Sequence, residues 1–146
     1  MIFVTVAGLS SCDESLAYSH YEHTPLSGWE KNDTLFFNTH PVKHAGIYHI
    51  EVGLRTTGDY PFTGISVNIE QRIPLRQEKK DYQRQFILME SNGAIKGQGI
   101  SFYQYIFPVA DIELQQGDSV QFCIRHDMKR EILPGIADVG VILTRR

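Results

Sequence analysis

The chain has 146 residues, a one-domain length at which folding buries about two-thirds of the surface the unfolded chain exposes, so a core can form without cross-links. A formal net charge of -3 with no basic cluster excludes the electrostatic footprint of a nucleic-acid binder. No apolar stretch approaches the roughly 20 residues that a membrane-spanning helix needs, so any membrane attachment has to be made by other means.

In chain order, the first feature is the apolar run from Ile2 to Leu9, which leads into Leu9-Ser10-Ser11-Cys12 and then directly into Asp13-Glu14. Small residues before a cysteine followed by polar, acidic sequence are what a bacterial lipoprotein signal needs, because its peptidase cuts just before a thiol that carries diacylglycerol. A complete signal peptide has a basic n-region, and no Lys or Arg precedes Lys31. The run therefore reads as the remnant of a longer leader, and the competing reading is a β-branched strand ending in a Ser-Ser-Cys loop. On the first reading residues 1–11 form a truncated signal peptide, residues 12–15 a lipidated tether and residues 16–146 a single β-sandwich domain. Cys12 is the lipidation site, and Cys123 is left without a disulfide partner as a small residue on a sheet face. An unlipidated Cys12 would instead leave a Cys12–Cys123 bridge open in an oxidising compartment.

Downstream, period-two alternation dominates, as in antiparallel sheet with one buried face per strand. Leu16 to Glu22 is a weak strand. Leu26 to Asp33, which holds the only tryptophan, reads as an exposed linker. Tyr48, Ile50, Val52 and Leu54 face one way, with His49, Glu51 and Arg55 opposite. Ile65 to Glu70, Val120 to Ile124 and Val139 to Leu143 repeat the pattern. The denser runs Leu35-Phe36-Phe37, Phe86 to Met89 and Phe102 to Phe107 suggest strands that are central or covered on both faces. Pro74 to Lys80 reads as a solvated loop or a short helical turn. Thr57-Gly58-Asp59-Tyr60-Pro61, Ser91-Asn92-Gly93, Gln116-Gly117-Asp118 and Leu133-Pro134-Gly135 are turns. The sum is an all-β, antiparallel two-sheet sandwich or jelly roll of roughly eight strands, with no internal repeat or low-complexity tract.

Catalytic constellations are not evident. His40 and His44 are four apart, but Pro41 disfavours the helix that would align them, while His20 and His23 face opposite sides of a strand. A structural or surface role is favoured over metal ligation, and no metal or cofactor is expected. Ser101 lacks a nucleophile elbow, Cys123 has no activating neighbours in sequence, and Gly97-Gln98-Gly99 has no helix after it to bind an anion. Among Asp111, Glu113, Asp118, Asp127 and Asp138, nothing singles out a glycosidase pair. Trp29, Tyr60 and Tyr103 are weak candidates for stacking on a sugar, with core or tether packing the favoured role.

The most distinctive segment is His126-Asp127-Met128-Lys129-Arg130-Glu131-Ile132-Leu133-Pro134-Gly135-Ile136-Ala137-Asp138-Val139-Gly140. It resembles the closing signature of the gliding-motility lipoproteins called GldH, found in the Bacteroidetes: a Met-basic pair, a Leu-Pro-Gly turn, then Asp-Val-Gly on the last strand. Upstream, Trp29, the stretch from Leu54-Arg55 to Asp59-Tyr60-Pro61, and Gly97 with Gly99 before an aromatic strand extend the likeness in order over most of the chain. Lys129 stands where the family pattern has Arg, and Ala94 or Ile95 where it has an aromatic residue. Gly135 after Pro134 suits a type II turn, Gly140 permits close approach of a neighbour, and Asp138 is read as structural, pairing with Arg130 or Arg125. The resemblance implies a non-catalytic envelope lipoprotein, held in the outer membrane by lipid on Cys12, in either the periplasmic or the surface leaflet. Its implied partners are other envelope proteins, the gliding and type IX secretion components, with no nucleic acid or small-molecule substrate. Acidic residues shortly after the cysteine, here Asp13-Glu14, resemble a signal for export to the cell surface in the Bacteroidetes. The alternative reading is a glycan-binding module or a glycan-active envelope protein.

Overall fold

A computed structural model describes residues 15–89, 97 and 102–146, so Cys12, the Ser91-Asn92-Gly93 turn and Ser101 lie outside the described residues. In chain order the strands are β1 (Leu16–His23), β2 (Trp29–Glu30), β3 (Leu35–Asn38), β4 (Gly46–Thr57) and β5 (Gly64–Ile73). A 3-10 turn (Pro74–Arg76) leads to β6 (Glu78–Ile87), β7 (Phe102–Leu114), β8 (Gln121–His126), β9 (Ile132–Leu133) and β10 (Ile136–Arg145). Two four-stranded antiparallel sheets, ordered β1-β10-β4-β7 and β3-β8-β5-β6, form a sandwich, and β2 and β9 pair as a small third sheet. This is the all-β sandwich that the alternation implies.

Register sets the core. Val139, Val141 and Leu143 of β10 stand opposite Leu54, Val52 and Ile50 of β4. Across the sandwich, Leu35 and Phe37 stand opposite Ile124 and Phe122, and Ile69 stands opposite both Ile124 and Tyr82. All of these side chains are buried in one cluster. Each contributes roughly 1.5–3 kcal/mol of burial, which makes this apolar layer the dominant favourable term.

The dense aromatic runs are not central. They lie on β3, β6 and β7, each at a sheet edge, and each leaves one face wet: Phe36 is 55% exposed, Ile87 57% and Phe102 56%. Aromatic density reports fitness for a pleated surface rather than coverage of both faces. The polar stretch corrected in the other direction is Pro74 to Lys80, which is a loop only as far as Gln77. Glu78 already begins β6, whose buried positions are only Tyr82 and Phe86. An edge strand tolerates that charge, and charge there discourages pairing with another chain.

Trp29 is also corrected: it is not on an exposed linker but fully buried, in β2. Its indole N–H donates to the Asp33 carbonyl at 2.8 Å, and its own carbonyl accepts from His126 Nε2 at 2.9 Å. The two rings meet edge to face, centroids 5.2 Å apart. The Met128 N–H donates to His126 Nδ1 at 3.3 Å, so the imidazole is held neutral with its proton on Nε2. Burial lowers the His126 pKa below the ordinary histidine value, against the opposing pull of its backbone hydrogen bonds.

On the outer face of the first sheet, Tyr21 lies flat across two glycines. A Cβ on Gly140 would sit 2.6 Å from the Tyr21 ring, and one on Gly53 would sit 2.1 Å from its hydroxyl. Arg55 stacks over the ring at 4.1 Å, a partly exposed cation–π contact. The Arg55 guanidinium also reaches Asp138 at 3.7 Å, and His23 Nδ1 pairs with the same carboxylate. The partners of Asp138 are therefore Arg55 and His23 on the neighbouring strands, not Arg130 or Arg125, because register places them directly beside it. Gly135, at φ +83°, takes the third position of the Pro134 turn as type II geometry requires; a Cβ there would meet the Tyr60 backbone at 2.5 Å.

Two predictions follow from these contacts. In urea denaturation, Gly140→Ala should lose about 1–3 kcal/mol through overpacking against Tyr21, while Gly58→Ala, whose Cβ meets nothing within 4 Å, should stay within about 0.5 kcal/mol. Tyr21→Phe should be neutral or stabilising, since the Tyr21 hydroxyl is buried with no hydrogen-bond partner among the described residues and removing such a group recovers its desolvation cost. Equal midpoints for the two glycine variants would contradict this packing. For His126, the unfolded chain takes up the proton more readily than the fold does. The stability due to neutral His126 is therefore complete above the unfolded pKa of about 6.5 and is lost as pH falls, at up to about 1.4 kcal/mol per unit. Unfolding free energy should drop between pH 7.5 and 5.5 in the native chain and drop less in His126→Gln; identical slopes would refute the assignment.

Candidate functional site

The three aromatic candidates do not form one platform. Trp29 belongs to the interior. Tyr60 and Tyr103 are half-buried, packed against the core. The Tyr60 hydroxyl donates to the Gly64 carbonyl at 2.7 Å, and burial pushes its pKa well above the usual phenol range. Cys123 is 7% exposed and free, as a small residue on a sheet face should be. Burial first, and then the nearby Glu70 charge, raise its pKa, so it is a protonated thiol rather than a nucleophile. No group of three or more His, Cys, Asp or Glu among the described residues could hold a metal ion.

Register gathers polar side chains that lie far apart in sequence. On the outer face of the second sheet, Phe36, Cys123, Glu70 and Asp81 form one row across β3, β8, β5 and β6, and Arg125, Asn68 and Gln83 form the next. Because Cys123 is small, the rows enclose a depression of about 440 Å³ lined by Thr34, Asn68, Glu70, Asp81, Cys123 and Arg125, among others. Glu70 is taken up by Arg72 at 2.7 Å and Lys79 at 3.1 Å, and these hold its pKa below the usual carboxylate value. Arg125 makes no ion pair among the described residues and is exposed. Sequence reading missed this face because it is assembled from alternate positions of four strands; the outward residues of each strand taken together, Phe36 with Cys123 and Arg125 above all, are the signal that could have found it.

A second concavity, of about 540 Å³, lies at the end of the sandwich where the chain enters the fold. Ser15, Leu16, Ala17, Pro41, Val42 and Tyr48 line it together with His40, Lys43, His44 and Arg145. His40 and His44, close in sequence, are thus brought to one hollow by the β3–β4 loop, which Val42 anchors through its N–H to the Asp118 carbonyl and its carbonyl to the Gly117 N–H. The opposite end carries the Leu133-Pro134-Gly135 turn, Met128, Trp29 and Tyr60. There Gly28 packs beneath Ile132, and Leu26, Phe62 and Ile132 are exposed.

Comparison with known proteins agrees with the signature. Residues 16–143 match the GldH lipoprotein family. No curated protein sequence matches the chain. Among solved structures, the chain is similar to the family 35 carbohydrate binding module from Clostridium thermocellum, at 16% identity and a TM-score of 0.42, covering 84% of this chain and 86% of that one. A protein from Sulfurospirillum deleyianum aligns at 11% identity and a TM-score of 0.44, over 88% and 98%. Eiger TNF from S. frugiperda aligns at 12% identity and a TM-score of 0.35, over 85% and 90%. These likenesses are loose, and each protein's ligand remains its own. The family match spans both sheets and the whole of the closing signature: the chain belongs to the GldH lipoprotein family.

Proposed function

We propose that the protein is a non-catalytic lipoprotein of the outer membrane, anchored through lipid on Cys12, which acts in gliding motility and type IX secretion by docking onto other envelope proteins. The observation that carries this reading is the family match over 16–143. It is supported by the Ser10-Ser11-Cys12 junction and by the signature end, where Leu26, Phe62 and Ile132 stay exposed around a turn fixed by Gly135 and Tyr60. Apolar side chains rimmed by Lys129, Arg130 and Glu131 are suited to a protein partner. Immunoprecipitation from envelopes should recover motility or secretion components with the native protein, fewer with Leu26→Asp/Ile132→Asp, and few with Cys12→Ser, which loses its position. Recovery of none of these components with the native protein would sink the proposal.

A second reading, glycan binding, is favoured by the depression on the second sheet. Its lining holds planar polar side chains and Arg125, which makes no ion pair among the described residues, and the exposed Phe36 stands opposite the lining residue Cys123 on the same face, a combination that can stack on a sugar ring and bind its hydroxyl or carboxylate groups. A panel of acidic and neutral oligosaccharides should show binding that Arg125→Ala and Phe36→Ala both weaken. Absence of binding across the panel removes this reading.

A further inference from the structure

The concavity beside Ser15 holds two cations, Lys43 and Arg145, and no carboxylate in its lining. His40, Lys43, His44 and Arg145 face it together with Tyr48 and Pro41. Neither Lys43 nor Arg145 makes an ion pair among the described residues. Among the described residues, Asp111 holds His49 at 2.8 Å and Arg146 at 3.1 Å, and Asp118 is buried against Arg76 at 3.1 Å; Asp13 and Glu14 lie outside the described residues. Glu113 stands opposite Ile47 on the outer sheet face. A pair of cations with no acidic partner among the described residues, set in a hollow, attracts an anion, and Lys and Arg are the side chains that bind phosphate.

The position of the hollow says which anion. Cys12 precedes Ser15 by three residues, and at about 3.5 Å per fully extended residue the lipid is attached within roughly 10 Å of where the fold begins. Ser15 accepts the Arg145 N–H at 2.7 Å, so the tether leaves the sandwich beside Arg145. The same end carries the tip of the β5–β6 hairpin, placed there by Arg76, which donates to the Glu113 carbonyl at 3.0 Å. At that tip Leu75 is 72% exposed. The hairpin tip at this end exposes one apolar side chain, Leu75, next to the basic Arg76, and exposed apolar and basic side chains at one end suit a surface that rests on an anionic bilayer.

We infer that this end of the sandwich is a seat for an anionic phospholipid headgroup, with Lys43 and Arg145 on the phosphate and Leu75 at the acyl boundary. The inference rests on the proposed anchor at Cys12 for its direction, but the contact is made by the folded chain itself. It fixes orientation, since a domain held by lipid and by this end presents its signature end away from the membrane.

The test is sedimentation of the mature chain carrying Cys12→Ser, which has no lipid of its own, with phosphatidylcholine vesicles that do or do not contain phosphatidylglycerol. The chain should partition onto the anionic vesicles and release as salt is raised. Lys43→Glu/Arg145→Glu should cut the partition coefficient by about 25-fold or more, since each basic residue at such a surface is worth about fivefold. Lys43→Gln/Arg145→Gln, a milder change, should cut it in the same direction, and Lys129→Glu/Arg130→Glu at the far end should leave it unchanged. Inorganic phosphate should displace the chain no more than sodium chloride of equal ionic strength, which separates a headgroup in a bilayer from free phosphate. The inference is overturned if the chain binds neither vesicle type, binds both alike, or is released equally by the far-end substitutions. Failure of the anchor is read separately, by incorporation of labelled fatty acid at Cys12 in cells.

Discussion

The pairing of β1 with β10 decides how this molecule is presented. β1 is an edge strand with few buried apolar side chains, so the core alone does not hold it. What holds it is the Tyr21 ring pressed onto Gly140 and Gly53, covered by Arg55 and flanked by Asp138, which binds Arg55 and His23. The two glycines forgo side-chain packing so that one aromatic ring can span two strands. That is a local loss, since glycine interrupts a strand's packed surface, and it is offset by the large area an aromatic ring buries. Because β1 runs antiparallel to β10, the chain enters beside Arg145, and the signature turn before Ile136 falls at the other end.

The same clamp gives the signature its meaning. Asp138 and Gly140 are the signature residues of the last strand that meet β1 and β4 on the outer face, and Gly135 closes the turn against Tyr60. The Leu-Pro-Gly and Asp-Val-Gly elements are therefore architectural: they hold the turn and strand that follow the exposed residues Lys129 to Ile132. Trp29 and His126 seal this end from within. The hydrogen bond from His126 Nε2 to the Trp29 carbonyl ties the β2–β9 cap to the second sheet.

Much of the fold was legible from alternation, because Tyr48 to Leu54 and Val139 to Leu143 each carry one apolar face and their burial follows period two except at Gly53 and Gly140, which Tyr21 covers on the outer face. What was not legible has specific causes. β6 has only Tyr82 and Phe86 inside, too sparse for a periodicity to appear. Phe36, Ile87 and Phe102 look like core residues and are not, because sequence records side-chain type and not position within the sheet. Trp29 reads as a linker residue because its strand is two residues long. The partners of Asp138 depend on register between strands distant in sequence, as does the face shared by Phe36, Cys123 and Arg125. The hollow at the tether end escaped for the same reason: Lys43, in the β3–β4 loop, and Arg145 line one hollow only because β10 pairs with β4.

The central claim is one of direction: the tether end faces the membrane and the signature end faces away, separated by a β10 of 10 residues, or about 30 Å at the usual rise per residue. The measurement is fluorescence quenching in the lipidated protein on anionic vesicles, with a fluorophore on a cysteine placed at position 75 or at position 132 and the quencher attached to lipid headgroups. Cys123 is buried enough to leave the introduced thiol the reactive one. Strong quenching at 75 with little at 132 is the predicted result, and equal quenching at both positions, or the reverse order, would contradict the account.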